Sequence, residues 1–298
     1  MKKVIGIDVG GTSISGSIVN ERGEILMTRE LETSKSGSSF HVINGIKDII
    51  DSLYLKEEIC GIGIGAPGFI DTNNGKILSV GGNIEGWAGT HLKDEINSYY
   101  NLPIKIENDA NAATICEGWL GAGKDMKSFI MLTIGTGMGG GIYTKKQGLW
   151  RGEHFQAAEF GHSLLYPGGI QCICGQKGCS ERYISGSAIE NSFFEKTGQK
   201  LAGKEIFRIY NTDNNAKISI DDFAYNFGLF IVSLKNSFDP EGIVIGGGVI
   251  NSKSYWWDNM IASYENSVND PADLKIVPAE YLNNAGMIGA AKAVLDIL

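Results

Sequence analysis

Three of the chain's five cysteines, Cys172, Cys174 and Cys179, fall within eight residues, and His162 stands ten positions ahead of the first. Three thiolates and one imidazole complete a tetrahedral zinc shell, and Gly175 and Gly178 let the backbone fold tightly around an ion. The alternatives are free thiols in a loop, or a disulfide. Cys172 and Cys174 are too close for an ordinary disulfide, and nothing in the sequence marks an oxidising compartment. A structural zinc site is the better reading.

Two glycine-rich turns carry the next chemistry. Asp8-Val9-Gly10-Gly11-Thr12 sits between two short β-rich runs, so its amides can approach phosphate oxygens while Asp8 holds Mg²⁺ through water. Alone it reads equally as a hairpin turn. Gly135-Thr136-Gly137-Met138-Gly139-Gly140-Gly141 stands at the equivalent place of a repeated pattern, and the pair favours phosphate cradling. A third stretch, Glu107-Asn108-Asp109-Ala110-Asn111-Ala112-Ala113, puts Asp109 between a strand end and a helix start. The plain reading there is a helix N-cap.

Glu159-Phe160-Gly161-His162 followed by C-x-C-G-x-x-G-C-x-E over Cys172–Glu181 resembles the signature of the ROK family of repressors, open reading frames and sugar kinases. The resemblance implies that His162, Cys172, Cys174 and Cys179 ligate zinc, and that Glu159, His162 and Glu181 face sugar hydroxyls. The run at Glu107–Ala113 resembles the family's E-N-D-A-N-A-A motif, which implies Asp109 as general base and Asn108 as sugar ligand. By the same resemblance the two glycine turns clasp ATP, with Asp8 on Mg²⁺ and Gly10, Gly11, Thr12, Thr136, Gly137 and Gly139 on phosphate. Ala66–Asp71, with Gly68, and Gly81–Trp87, with Asn83, resemble the sugar-side loops. Family members often read P-N-L-x-G-W here, whereas this chain has Gly82 for the proline beside Gly81, a change at the place where the sugar is read. Gly246-Gly247-Gly248-Val249 resembles the adenosine-side loop, through Gly247 and Gly248. The implied fold is α/β, a two-lobed, duplicated actin-like (ribonuclease H-like) ATPase fold with a zinc-stabilised loop. The implied partners are a sugar, ATP and a second copy in a homodimer.

Three further glycine patterns fail on context. Gly63-x-Gly65-x-x-Gly68 and Gly135-x-Gly137-x-x-Gly140 fit the dinucleotide fingerprint, which needs a helix N-terminus directly after the glycines. Pro67 interrupts the first, and a strand follows the second. Gly118-x-x-x-x-Gly123-Lys124 lacks the P-loop hydroxyl, having Asp125 in its place, and no strand precedes it.

Strands are expected at 4–9, 14–19, 23–27, 60–66, 104–107, 128–134, 141–143 and 242–245, with turns at 20–23 and 71–75. Helices are expected at about 41–55, where Val42, Ile46, Ile49, Ile50 and Leu53 form a stripe, and at 91–100, 110–120, 255–268 and 286–298. Phe223, Phe227, Phe230, Leu234 and Phe238 mark a long helix before Asp239-Pro240. The expected division is an N-terminal lobe over 1–120, with the helix at about 286–298 packing back on it, and a C-terminal lobe over 121–285. Cys60 and Cys116 read as core; His41, His91 and His154 read as surface or satisfied side chains; Trp256-Trp257 reads as core or interface.

A chain of 298 residues with net charge −8 and 43% hydrophobic composition buries a sizeable core but lacks the basic face that nucleic acid requires. No signal-peptide core and no membrane span is legible, which with reduced zinc-bound cysteines reads as cytoplasmic. The activity the resemblance implies is ATP-dependent phosphorylation of a hexose primary hydroxyl, O6, with glucose or a β-glucoside favoured over N-acetylmannosamine or N-acetylglucosamine. The alternative of another class is a non-catalytic sugar-sensing regulator. Family regulators carry a helix-turn-helix ahead of the D-x-G-G-T turn, and Asp8 leaves no room for one here.

Overall fold

Val4, Ile5, Ile7 and Val9 are buried along β1 (Lys3–Val9), a strand apolar on both faces and therefore covered on both. In the computed structural model, which describes residues 1–11, 13–32, 37–54, 58–79 and 84–298, β1 lies at the middle of a five-stranded sheet. β2 (Ser13–Asn20) pairs antiparallel with β1, and β3 (Ile25–Glu32) with β2. After α1 (Ser39–Tyr54), β4 (Ile62–Ala66) joins β1 in parallel. A small hairpin, β5 (Phe69–Asp71) with β6 (Lys76–Ser79), and α2 (Leu92–Asn97) then lead to β7 (Ile104–Asn108), parallel to β4. The strand order is β3-β2-β1-β4-β7. The stripe read from the sequence is buried along α1 and packs against β2 and β3.

α3 (Asp109–Trp119) follows β7 directly, and α8 (Ala285–Leu295) packs on β1, on β4 and against α3. Gly63 of β4 explains that closeness. A Cβ there would lie 1.8 Å from the Ala290 carbonyl oxygen, so this glycine serves helix–sheet packing and no nucleotide. Buried Glu117 ties the C-terminal segment down, accepting hydrogen bonds from the amides of Ala122, Glu280 and Tyr281 at 2.8 to 3.1 Å. Three amide donors satisfy a carboxylate that burial would otherwise penalise.

The second sheet has the order β10-β9-β8-β11-β12, from β8 (Ser128–Ile134), β9 (Met138–Thr144), β10 (Gly148–Trp150), β11 (Gly242–Gly246) and β12 (Lys275–Pro278). β11 runs parallel to both β8 and β12. Between β10 and β11 come α4 (Gly186–Thr197), α5 (Gly203–Arg208) and α6 (Asn214–Phe238); α7 (Trp257–Ser267) precedes β12. Asp213 caps α6, its side chain accepting from the amides of Asn215 and Ala216. Trp256 belongs to the core, with ring centroids 5.4 Å from Phe223 and 5.8 Å from Phe227.

Two compact units result. One comprises Met1–Met126, Gly141–Ala157 and Glu280–Leu298, the other Lys127–Gly140 and Ala158–Ala279. Gly141–Ala157, inside the 121–285 span of the linear division, thus folds with the first unit, where Arg151 pairs with Glu107. No described helix is long and apolar enough to cross a membrane.

Several elements differ from the expectation. β9 starts at Met138 and not at Gly141, because glycines accept a strand conformation that their propensity does not advertise. β5, β6, β10 and β12 have three or four residues each, too short for a period to show. α4, α5 and the polar first turns of α6 had no apolar stripe to announce them.

Candidate functional site

In the first unit the chemistry gathers at the ends of three parallel strands. Asp8 lies in register with Gly65 of β4; Gly65 faces Glu107 of β7, and Ala66 faces Asn108. Ligands of open α/β sheets bind at this carboxyl edge. Asn108, extended at φ −68° and ψ 147°, caps α3: its Oδ1 accepts from the Asn111 amide at 3.0 Å. The cap expected of Asp109 therefore falls one residue earlier, because Asp109 is already the first helical residue. Asn108 Nδ2 also donates to the Gly68 carbonyl at 3.0 Å, which joins the cap to the Pro67–Gly68 loop. Buried Trp87 supports that loop from beneath, donating from Nε1 to the Pro67 carbonyl at 3.0 Å.

Asp109 Oδ1 accepts from the Ala110 amide at 2.8 Å, which orients the carboxylate. Burial raises the Asp109 pKa against the lowering effect of its hydrogen bonds. Burial, and then the charge of Asp109, push Asp8 up to about 7. Two carboxylates sharing one partly desolvated edge repel each other, and a cation would relieve both. Gly10 donates its amide to the Ser13 carbonyl at 2.9 Å, closing the hairpin that leaves Gly11 exposed. Thr12, Gly81, Gly82 and Asn83 lie outside the described residues.

Beneath this edge sits a pair that no local motif announces. Glu107 is fully buried; its Oε1 accepts from the Asn108 amide and from Asn111 Nδ2. Its Oε2 takes both Nε and Nη2 of Arg151, at 2.8 and 2.6 Å. A bidentate guanidinium is the partner such a carboxylate requires. Arg151 arrives from 44 positions away, so local spacing held no signal for it.

In the second unit, the glycine turn after β8 is closed by the Gly135 amide donating to the Gly137 carbonyl at 2.9 Å. The first amides of α4 hold it from behind: Gly186 donates to Gly135 O and Ser187 to Thr136 O, at 2.8 and 3.3 Å. Glu181 Oε2 accepts from the Met138 amide at 3.0 Å, and a Cβ on Gly137 would lie 2.3 Å from that oxygen. Gly246 is in register with Thr133, so Gly247 and Gly248 emerge at the same sheet edge as Thr136, Gly137 and Gly139.

His162, Cys172, Cys174 and Cys179 bring one ligand atom each to within 4.8 Å of one another. Cys172 Sγ lies 3.8 Å from His162 Nδ1, and Cys174 Sγ lies 3.5 Å from Cys179 Sγ. Tetrahedral zinc with bonds of about 2.0–2.3 Å spaces its ligands at roughly these distances. A disulfide would bring the sulfurs to about 2.05 Å. The donor set and its spacing fit zinc. Gln176 Nε2 donates to the His162 carbonyl at 3.1 Å and approaches Cys174 and Cys179, a supporting contact absent from the motif reading. Ser180 ties the loop ends together, donating from its amide to Ser163 O and from Oγ to Phe160 O. Glu159 and Glu181 therefore flank the cluster directly, on the short turns that carry His162 and follow Cys179. Asp8, Gly10, Gly68, Asn108 and Asp109 are gathered in one unit; Thr136, Glu159, His162, Glu181 and Gly247 are gathered in the other.

A family model described as the ROK family matches residues 4–297. The glucokinase of Halalkalibacterium halodurans is 34% identical, over 96% of this chain and 92% of its own. The beta-glucoside kinase of Listeria monocytogenes is 32% identical, over 97% and 96% respectively. The crystal structure of a ROK family glucokinase from Streptomyces griseus, in complex with glucose and AMPPNP, superposes with a TM-score of 0.86 at 31% identity, covering 97% of this chain and 98% of that one.

Proposed function

The chain belongs to the ROK family, and from that premise we propose that it is an ATP-dependent sugar kinase that phosphorylates the O6 hydroxyl of glucose or a β-glucoside. The observation that carries this reading is the convergence of Asp8, Asn108 and Asp109 at the carboxyl edge of three parallel strands, with the Asp109 pKa raised by burial. A carboxylate made more basic by its surroundings is suited to take a hydroxyl proton near neutral pH. The kinases and the glucose complex among the relatives support the acceptor class.

Phosphoryl transfer asks a protein for alignment, charge neutralisation and removal of one proton. Asp109 accepts the O6 proton as the oxygen attacks the γ-phosphorus; the bond to the β,γ-bridging oxygen breaks and ADP leaves. Asn108 orients the sugar through the amide proton not committed to Gly68, while Gly68, Asn83, Glu159, His162 and Glu181 hold its hydroxyls. With His162 Nδ1 turned to the cysteine cluster, Nε2 is the nitrogen left for the sugar. Gly10, Gly11, Thr12, Thr136, Gly137 and Gly139 receive the phosphates, and Gly247 and Gly248 lie along the nucleoside. Asp8 would hold Mg²⁺ through water, and the ion would neutralise phosphate charge. Zinc would keep the Cys172–Cys179 loop in the shape that presents Glu159, His162 and Glu181.

The test is ADP release from Mg-ATP with a panel of hexoses, β-glucosides and N-acetylhexosamines, run beside Asp109→Asn. Turnover with glucose or a β-glucoside that the variant loses is the expected result. Turnover with an N-acetylhexosamine alone would move the acceptor. Sugar binding without turnover, in protein that holds zinc and binds ATP, would favour a sensor.

A further inference from the structure

The first unit holds a cavity of about 560 Å³ that the proposed reaction does not use. Its volume falls in the range of small-molecule sites, about 300–1,000 Å³. Five cations line it, Lys105, Lys124, Lys145, Lys292 and Arg151, in a chain whose net charge is −8. Two carboxylates answer them. Asp296 at the rim pairs with Lys292, and buried Glu107 pairs with Arg151. Lys105 donates to the neutral Thr72 carbonyl at 2.7 Å, with Arg151 and Lys93 repelling its charge and Glu107 and Asp71 attracting it. Lys124 and Lys145 are exposed and have no ion-pair partner among the described residues. Lys124 and Lys145 therefore bring two positive charges without carboxylate partners among the described residues to a concavity that Lys105 and Arg151 also line, where mutual repulsion is screened less than on an open surface.

The cavity also has an apolar side. Trp119 and Tyr143 line it together with Ile115, Leu149 and Ala293. Trp119 is held in place, with Lys292 Nζ 5.4 Å from its ring centroid. Cations beside an aromatic wall suit a ligand that carries both phosphate and a flat ring.

We propose that this cavity is a binding site for a phosphorylated ring compound, its phosphate held among Lys105, Lys124, Lys145 and Arg151 and its ring laid against Trp119 and Tyr143. The site is built from β7, α3, β9, β10 and α8, and contains none of the residues assigned to ATP or sugar. Its Arg151 wall is bonded to Glu107, which immediately precedes Asn108 and Asp109. The inference does not depend on the chain being a kinase.

Titration calorimetry without magnesium, using phenyl phosphate and pyrophosphate as probes, tests it. Phenyl phosphate is expected to bind, and Lys124→Ala/Lys145→Ala to weaken it at least about tenfold, an effect of roughly 1.4 kcal/mol, without change in melting temperature or sugar turnover. Both lysines are exposed, so the double variant should fold. Tighter binding of pyrophosphate than of phenyl phosphate, lost in the same variant, would overturn the ring-bearing ligand in favour of an inorganic one. No binding at millimolar probe, or equal binding by native and double-variant protein, would overturn the site, the latter placing the anion on the glycine turns.

Discussion

Both sheets follow one plan: a first strand at the centre, a hairpin extending to one side and parallel strands to the other. They load its carboxyl edge differently. In the first unit β1 delivers Asp8, and the start of α3 adds Asp109, so two carboxylates with raised pKa values face one edge. In the second, Gly135 follows β8 directly, and the carboxylate that meets the turn is Glu181, which the Cys172–Cys179 loop carries in and which accepts from the Met138 amide. The difference teaches that a duplicated scaffold divides labour through what ends its strands. On the proposed reading, acidic strand ends would supply metal binding and proton transfer. Neutral glycine ends supply amides, and a separately stabilised loop adds polar groups.

Variants on the two edges sharpen the contrast. Asp109→Asn is expected to lower kcat by roughly 10²–10⁴-fold while leaving the Kd for an ATP analogue unchanged. Glu181→Gln should act mainly on the KM for sugar, and equal kcat losses in steady-state kinetics would erase the distinction. Next in size is Arg151→Met, which leaves buried Glu107 without its guanidinium partner. Denaturant unfolding should show a loss of about 3–5 kcal/mol, partly recovered in Arg151→Lys.

The Asp8 prediction has a sign that pH reveals. Its folded-state pKa of about 7 exceeds its ordinary 3.8, so the native protein holds a proton that the unfolded chain releases between those values. That contribution to stability is complete below the unfolded value and lost as pH rises through about 7. Asp8→Asn should therefore raise the melting temperature of ligand-free protein at pH 8, by the equivalent of up to about 4 kcal/mol, and change it little at pH 4. A variant less stable than native at pH 8 would contradict the burial account. The smallest effect is expected from chelating zinc: sugar affinity falls about tenfold, while binding of the ATP analogue to the glycine turns changes little by calorimetry.

The motifs were legible where chemistry needs neighbours in sequence. The spacing of Cys172, Cys174 and Cys179 brings three sulfurs to one point with only a short loop to bend. The apolar stripe of α1 and the strand at Lys3–Val9 follow from periods of 3.6 and 2 in side-chain direction. Asn108 was singled out for the sugar, but its capping role went to Asp109, because one residue decides which backbone is extended and which is helical. The short strands β5, β6, β10 and β12 escaped for want of length, and α4 and α5 for want of a stripe.

By itself, the sequence determined the two glycine turns, the His162–Cys172–Cys174–Cys179 set whose spacing fits zinc and the E-N-D-A-N-A-A run, since each is a local constraint of backbone freedom, ligand spacing or strand-to-helix passage. Tertiary structure alone decided that Arg151 neutralises Glu107, that Glu117 anchors the amides at Glu280 and Tyr281, and that five cations line one cavity. Those partners are set by strand order and register, which bring distant residues together and leave no period in the chain to read.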